Sequence, residues 1–480
     1  MKISDILQRR LKSTLENNAK TLVIHENDNV YINLEEGHKY ARRDIKKGEN
    51  IIKYGFPIGH ATEDIKKDEH VHSHNVKTNL SDISDYTYNF VDHGITIGST
   101  DKTFMAYVRK NGDIGIRNDI WVVNTVGCIN KTAQTVAEKA GAKYFPHPFG
   151  CSQLGGDMEV TQKVLAGLVK HPNAGGVLVM GLGCENNNLD VFKPCLGEFD
   201  EERIRFINTQ DCEDEIAESL AIIDELKALC AKDKRVPVPL SKLKIGLKCG
   251  GSDGYSGITA NPLCGSLCNR MSEMGGTCIL TEVPEMFGAE HLLMERCVSK
   301  EVFDKTVAMV NNYKKYFMAH NQPIYENPSP GNKKGGITTL EEKSLGCVQK
   351  GGLANVTDVL DYGDIVTKSG LSLMNGPGND LVAVTNLSVS GVHVVLFTTG
   401  RGTPFGGPVP TVKISTNSAL AEKKKGWIDF NAGRLLEGVS MQQLTDELLD
   451  YVVSVAEGKE CLNEKNGFCE ISIFKDGVSL

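Results

Sequence analysis

Long apolar runs are missing from this chain. No stretch of the 480 residues comes near the roughly 18 consecutive apolar residues that a membrane span needs, and the start, Met1-Lys2-Ile3-Ser4-Asp5-Ile6, lacks the apolar core of a secretion signal. The cytoplasm is the expected compartment, with no membrane partner. Positive charge is also short. Lys and Arg number 53 against 61 Asp and Glu, a formal net charge of −8, which is the wrong sign of footprint for nucleic acid. Fourteen cysteines are too sparse for a disulfide-stapled scaffold, so free thiols in a reducing compartment are expected. No period of 20–50 residues recurs, which excludes a solenoid. What remains, 40% apolar residues with 49 glycines, is the composition of a globular protein with many tight turns.

Residues 1–80 alternate short strand-like pieces (Thr21–His25, Tyr31–Leu34, Asn50–Tyr54) with glycines, which predicts a small, mostly β domain. Residues 81–103 are polar and without periodicity, and read as a linker. From 104 to 240, runs at 120–126 and 177–182 alternate with helical patterns at 131–141 and 213–232, the signature of a parallel α/β layer. Val236-Pro237-Val238-Pro239 marks a boundary. The region 241–480 repeats the alternation, with strand-like runs at 243–247, 278–283, 381–385 and 393–398 and helical patterns at 285–318 and 440–457. The fold class is α/β, with a Rossmann-like, mostly parallel sheet.

Three cysteines stand where apolar runs stop: Cys128 after Ile120–Val126, Cys184 after Val177–Gly183, and Cys249 after Leu243–Lys248. Ligands of open α/β sheets gather beyond the carboxyl ends of the strands, and thiolates are soft ligands for iron. Cys151, in His147-Pro148-Phe149-Gly150-Cys151, is a fourth candidate. The spacing matches neither zinc pairs nor ferredoxin runs, so such a site is assembled from distant segments. Cys195, Cys212, Cys230, Cys278, Cys297, Cys461 and Cys469 read as small buried hydrophobes.

Cys249–Pro262 follows with a density of glycines and hydrogen-bonding side chains (Ser252, Asp253, Ser256, Thr259, Asn261) suited to a polyhydroxylated molecule, or to a tight turn before a helix at 263–274. Glu282 and Glu285 offer two carboxylates for a hard cation or for acid–base work, or a first-turn residue complementing a helix dipole. The loops 327–336 and 398–407 embed Lys333, Lys334 and Arg401 in glycine and proline, as carboxylate clamps or solvated loops. Neither is a P-loop or a dinucleotide fingerprint. His70, His72 and His74 would share one face of a strand, as metal or carboxylate ligands or as half-exposed surface residues.

These segments together resemble the altronate and galactarate dehydratase family of sugar-acid dehydratases. His25–Val30, Gly37-His38-Lys39, Lys53-Tyr54-Gly55 and Ile58-Gly59 are similar to its N-terminal SAF, or β-clip, domain; Gly112–Asn118, Gly181–Glu185, Cys249–Pro262, Pro328–Lys333 and Thr398–Pro404 are similar to its second and C-terminal domains. The fused SAF domain, Phe145–Gln153 and the pair His72, His74 favour the altronate branch. The resemblance implies dehydration of D-altronate to 2-dehydro-3-deoxy-D-gluconate in hexuronate catabolism, assisted by Fe2+ or a similar divalent metal. On this reading Cys128, Cys151, Cys184 and Cys249 hold Fe2+ or an iron–sulfur cluster. His38 or Lys39 closes over the site as base or clamp, and Glu185, Asp253 or Glu282 is its acid partner. Arg117, Asn118, Ser252, Thr259, Asn261, Asn332, Lys333 and Arg401 bind the substrate. A site of Glu282, Glu285 and Asp253 holding Mg2+, Mn2+ or Ca2+ is the alternative. Rival readings are a galactarate dehydratase, a sulfo-lyase expelling sulfite, and a sugar-acid-binding protein. The expected partner is a small sugar acid, and the expected assembly is a homodimer.

Overall fold

The computed structural model describes residues 20–81 and 83–477. The N-terminal domain consists of two three-stranded antiparallel sheets. One joins Thr21–Leu22, Val30–Asn33 and Lys39–Ala41; the other joins Asn50–Lys53, Phe56–Ala61 and Val76–Lys77. The alternating apolar positions turn inward, so Leu22, Ile32, Ile51 and Ile58 are fully buried. The segment expected to be a bare linker lies along the C-terminal domain, with Val91 N–H donating to Glu295 O at 2.7 Å and Tyr88 Oη donating to Cys297 O at 3.1 Å.

The second domain holds a four-stranded parallel sheet in the order Lys143–Tyr144, Asp119–Asn124, Ala174–Gly181, Ile204–Asn208. Helices Asn130–Ala140, Gly155–Val169 and Glu215–Cys230 belong to the same layer. Its central strand is buried at all eight positions, which explains the unbroken apolar run. A small antiparallel sheet of Thr103–Val108, Ile114–Gly115 and Val236–Pro239 flanks it.

The C-terminal domain is built on seven parallel strands in the order Val356–Leu360, Gly370–Met374, Thr277–Leu280, Lys244–Cys249, Val394–Thr399, Thr411–Ser415, Phe430–Asn431. From Lys244–Cys249 the chain moves first to Thr277–Leu280 on one side and later to Val394–Thr399 on the other. The topological switch point, where such sheets bind ligands, therefore lies beyond Cys249 and its register partner Thr398. The run at 381–385 forms a helix, not the expected strand. Asn379 caps Asp380–Val389 by accepting from Val382 N–H, and the helix is buried on nearly every side, so the apolar run carries no period. The pattern at 285–318 breaks into a turn at Val283–Glu285, the helix His291–Met294 and the helix Lys300–Ala319.

Candidate active site

A tight cleft of about 10 Å³, closed down to little more than a water's width, lies where the SAF domain meets the switch point, lined by Lys53 and Tyr54, by Ser252, Asp253 and Asn261, and by Glu342, Lys343 and Cys347. Close contact makes this seam. A Cβ on Gly254 would stand 1.9 Å from Gly37 O, so only glycine lets the two backbones approach. The helix Leu340–Cys347, capped by Thr339 Oγ1 accepting from Glu342 N–H, is buried at all eight residues, Glu341, Glu342 and Lys343 included.

Charge is paired across the seam. Glu342 accepts from Lys39 Nζ at 2.8 Å and from Lys53 Nζ at 2.7 Å, with all three side chains nearly inaccessible. Burial brings Lys39 down to about 8 in spite of that carboxylate, with the Lys53 charge adding to the effect. Burial works against Lys53 as well, but Glu342 and Tyr54 outweigh it and hold its ammonium above the usual lysine range. Lys39 spends a further proton on Gly336 O at 3.0 Å.

Behind the cavity lies a second buried network. Lys248 contacts Glu282, and Lys350 reaches Glu282 Oε2 at 2.7 Å and Cys249 Sγ at 2.8 Å. Lys343 contacts Glu285 at 2.8 Å and Asn332 Oδ1 at 3.1 Å. Cys347 Sγ lies 3.4 Å from Cys249 Sγ and 3.1 Å from Glu285 Oε2. Burial alone would raise Glu285, but Lys343, Lys248 and Lys350 keep its carboxyl far below the usual range. The hydrogen bond with Cys249 and burial push the Cys347 thiol well up. Glu282 holds φ at 74°, a region that costs a residue with a side chain on the order of 1–3 kcal/mol and recurs at functional sites.

Of the residues expected to act together, Ser252, Asp253, Asn261, Glu282 and Cys249 belong to this centre. Asp253 accepts from Thr416 Oγ1, Asn417, Ser256 Oγ and Tyr255 N–H, and its carboxylate thereby organises the loop. Burial still lifts it above the ordinary aspartate range. Thr259 donates to Thr416 O, and Asn332 donates to Ser252 O. Ser252 Oγ is buried without a partner among the described residues. Lys333 is half-buried and its carbonyl meets His72; Arg401 is exposed beside Gly251 and forms no ion pair among the described residues.

Other expected members lie elsewhere. Arg117 spends its guanidinium on Glu464 and on the carbonyls of Ile116, Val455 and Lys459, which ties the second domain to the C-terminal one, and Asn118 accepts from Arg109 and donates to Cys230 O within the second domain. Glu185 accepts from Leu182 N–H, Gly183 N–H and Thr125 Oγ1, stitching a loop of the second domain. Cys128, Cys151 and Cys184 are exposed at the carboxyl edge of that domain's sheet, whereas Cys249 is buried in the other. The four thiols are therefore not one set. Among the described residues, the single group of three potential ligand atoms all within 4.8 Å of one another is Cys249, Glu285 and Cys347. The oxygen set of Glu282, Glu285 and Asp253 is likewise divided, because Asp253 is spent on its own loop.

His38 Nδ1 and His70 Nε2 lie 3.1 Å apart at the seam, with the rings of His72 and His74 packed around them. Burial, then the neighbouring imidazoles, pull His70 down to about 4. These histidines sit on turns, not on the expected strand; only His70 bridges, to Tyr40. Two wider clefts follow the seam between the second and C-terminal domains, but His171 and His393 there are brought by burial to about 3 and bond backbone.

Sequence reading missed Cys347, Lys343, Lys350, Glu342 and Lys248. One signal was present: Lys248 stands inside an apolar parallel-strand run, a place where a cation needs a buried partner.

Comparison with known proteins decides the family. The model "D-galactarate/Altronate dehydratase, C-terminal" matches residues 240–479, its companion for the second domain matches 106–230, and "Altronate/galactarate dehydratase SAF domain" matches 23–79. The chain belongs to the altronate/galactarate dehydratase family. It is 52% identical over 468 residues to altronate dehydratase of Escherichia coli K12 (94% of each chain) and 50% identical over 459 residues to that of Bacillus subtilis 168 (93% of this chain, 92% of the relative). Identity to the galactarate dehydratase (L-threo-forming) of E. coli K12 is 30%, over 89% of this chain and 87% of the relative. In this chain the SAF domain, the polar loop after Cys249 and the helix Leu340–Cys347 line one cleft.

Proposed function

We propose that the chain is a hydro-lyase converting D-altronate to 2-dehydro-3-deoxy-D-gluconate and water in this cavity. One observation carries the placement: groups suited to a carboxylate, to hydroxyls and to a moving proton converge there from two domains. Dehydration takes the C2 proton and breaks the C3–O bond. The C–H electron pair becomes a C2=C3 double bond, the hydroxyl leaves as water after receiving a proton, and the enol ketonises. Lys53, held cationic and spending one proton on Glu342, clamps the carboxylate. Ser252 Oγ pairs with a substrate hydroxyl. Cys347, its thiol kept protonated, is the acid that gives the leaving hydroxyl its proton, held in place by Cys249 Sγ and Glu285 Oε2.

Two sulfurs and a carboxylate would suit Fe2+ by donor type. Here, however, Lys350 already bonds Cys249 and Lys343 already neutralises Glu285, so a dication among them would stand against buried ammonium groups. The set does not fit, and protons alone are assigned to it.

All fourteen cysteines are free thiols, which supports a reducing, cytoplasmic setting. We also propose a homodimer, which sedimentation tests. The decisive assay follows 2-keto product from altronate, galactarate, gluconate, mannonate and sulfolactate without oxygen. Altronate turning over fastest supports the reading, and galactarate or sulfolactate turning over faster overturns it.

A further inference from the structure

Away from the reaction centre, one cleft gathers cations without matching anions. It measures about 400 Å³ and lies at the seam of the second and C-terminal domains, where Lys244 and Thr277 open their strands. Lys170, Lys242 and Lys244 line it, and Asp113 is the only acid among the lining residues. Lys170 and Lys242 are exposed, whereas Lys244 is half-buried. Its Nζ donates to Val366 O at 3.3 Å and forms no ion pair among the described residues. Burial pulls Lys244 below the usual lysine range against the attraction of Asp113, and Lys242 adds to the effect. An ammonium that gives up water normally gains a carboxylate in exchange. The other titratable groups of this wall are already committed. Asp113 accepts from Asn111 Nδ2 at 2.8 Å, His171 is bonded to Val392 O, His393 Nδ1 accepts from Lys244 N–H, and Lys368 on the adjoining loop is paired with Asp358. Ser241, Thr367 and Ser369 add hydroxyls to the lining. The volume falls in the range of roughly 300–1,000 Å³ typical of small-molecule sites.

We propose that this cleft binds a small polyanion carrying phosphate and carboxylate on a hydroxylated chain, the chemistry of a phosphorylated sugar acid, with Lys242 and Lys244 as its cationic contacts. Ammonium groups serve such anions as point charges, and the hydroxyls of the wall meet the polyol. The site is separate from the cleft assigned to altronate. Lys244 opens the strand that ends at Cys249, so the two sites stand at opposite ends of one strand, roughly 16 Å apart at about 3.3 Å per residue. Its test reads binding, not turnover.

The test is isothermal titration of the full-length protein with 6-phosphogluconate, with gluconate and inorganic phosphate as separate arms. The expected result is one 6-phosphogluconate per chain, bound more tightly than either fragment and more weakly as salt rises. Lys244→Met and Lys242→Ala should each weaken binding by about tenfold or more, whereas Lys53→Met, which alters the altronate cleft, should leave it unchanged. Because Lys242 is exposed, Lys242→Ala keeps the test valid even if Lys244→Met fails to fold. No saturable binding, gluconate or phosphate alone binding as tightly, unchanged affinity in Lys242→Ala, or loss of binding in Lys53→Met overturns the proposal.

Discussion

Lys53 Nζ, on a strand of the SAF domain, lies 2.7 Å from Glu342 Oε1, on a buried helix of the C-terminal domain 289 residues away in sequence. A buried charge is tolerable only with its partner, so this contact makes the closed arrangement of the two domains a condition for both residues. Truncating Glu342 to Gln leaves Lys39 and Lys53 without their anion. The expected loss is about 3–5 kcal/mol of stability, measured by urea unfolding, with the SAF domain becoming accessible to protease first.

Glu282→Gln tests the deeper network. Lys248 and Lys350 both end on that carboxylate at a site about 1% exposed, so removing its charge should again cost roughly 3–5 kcal/mol. Wild-type stability in denaturant would show that the two lysines find other partners.

Cys347→Ala should retain the fold and lose about 10²-fold or more in kcat, the usual scale for a proton-transfer group, with KM for altronate little changed. Alkylation mapped by mass spectrometry gives an independent check. The exposed Cys128, Cys151 and Cys184 should react in the native protein, while Cys249, behind the cavity, reacts only after unfolding.

Gly254→Ala pushes a methyl group to 1.9 Å from Gly37 O. The SAF domain must shift, at a cost of about 1–3 kcal/mol, and activity should fall with it although no charged group is touched.

The pH dependence of Lys39 has a defined sign. Its ordinary value is 10.5 and burial brings it to about 8 in the folded chain, so the folded state releases that proton first. Between about pH 8 and 10.5 the unfolded chain binds more protons at this position, and its contribution to stability rises with pH. NMR of the lysine Nζ groups should show Lys39 titrating near 8 while Lys53 stays protonated throughout.

The central strands were legible because burial on both faces leaves unbroken apolar runs, as at Val177–Met180, and the polar loop after Cys249 announced a ligand by its density of glycines and hydroxyls. Asp380–Val389 misled for the same reason: a helix buried all round shows no period. Convergence was not legible. Cys128 and Cys184 follow neighbouring strands of one sheet, but Cys249 ends a strand of another, and strand-end position alone says nothing about which sheet. Cys347 and Glu342 escaped because their short helix carries its charges inward, opposite to the surface-helix pattern that sequence reading relies on.

The most direct measurement is kcat/KM for altronate in Lys53→Met, with stability recorded alongside. Lys39 still satisfies Glu342 in this variant, so no buried carboxylate is orphaned. Losing a carboxylate clamp worth about 2–5 kcal/mol should lower kcat/KM by roughly 30-fold to more than 1,000-fold, mainly through KM. A folded Lys53→Met chain with wild-type kcat/KM would place the reaction somewhere other than the cleft between the SAF domain and the C-terminal sheet.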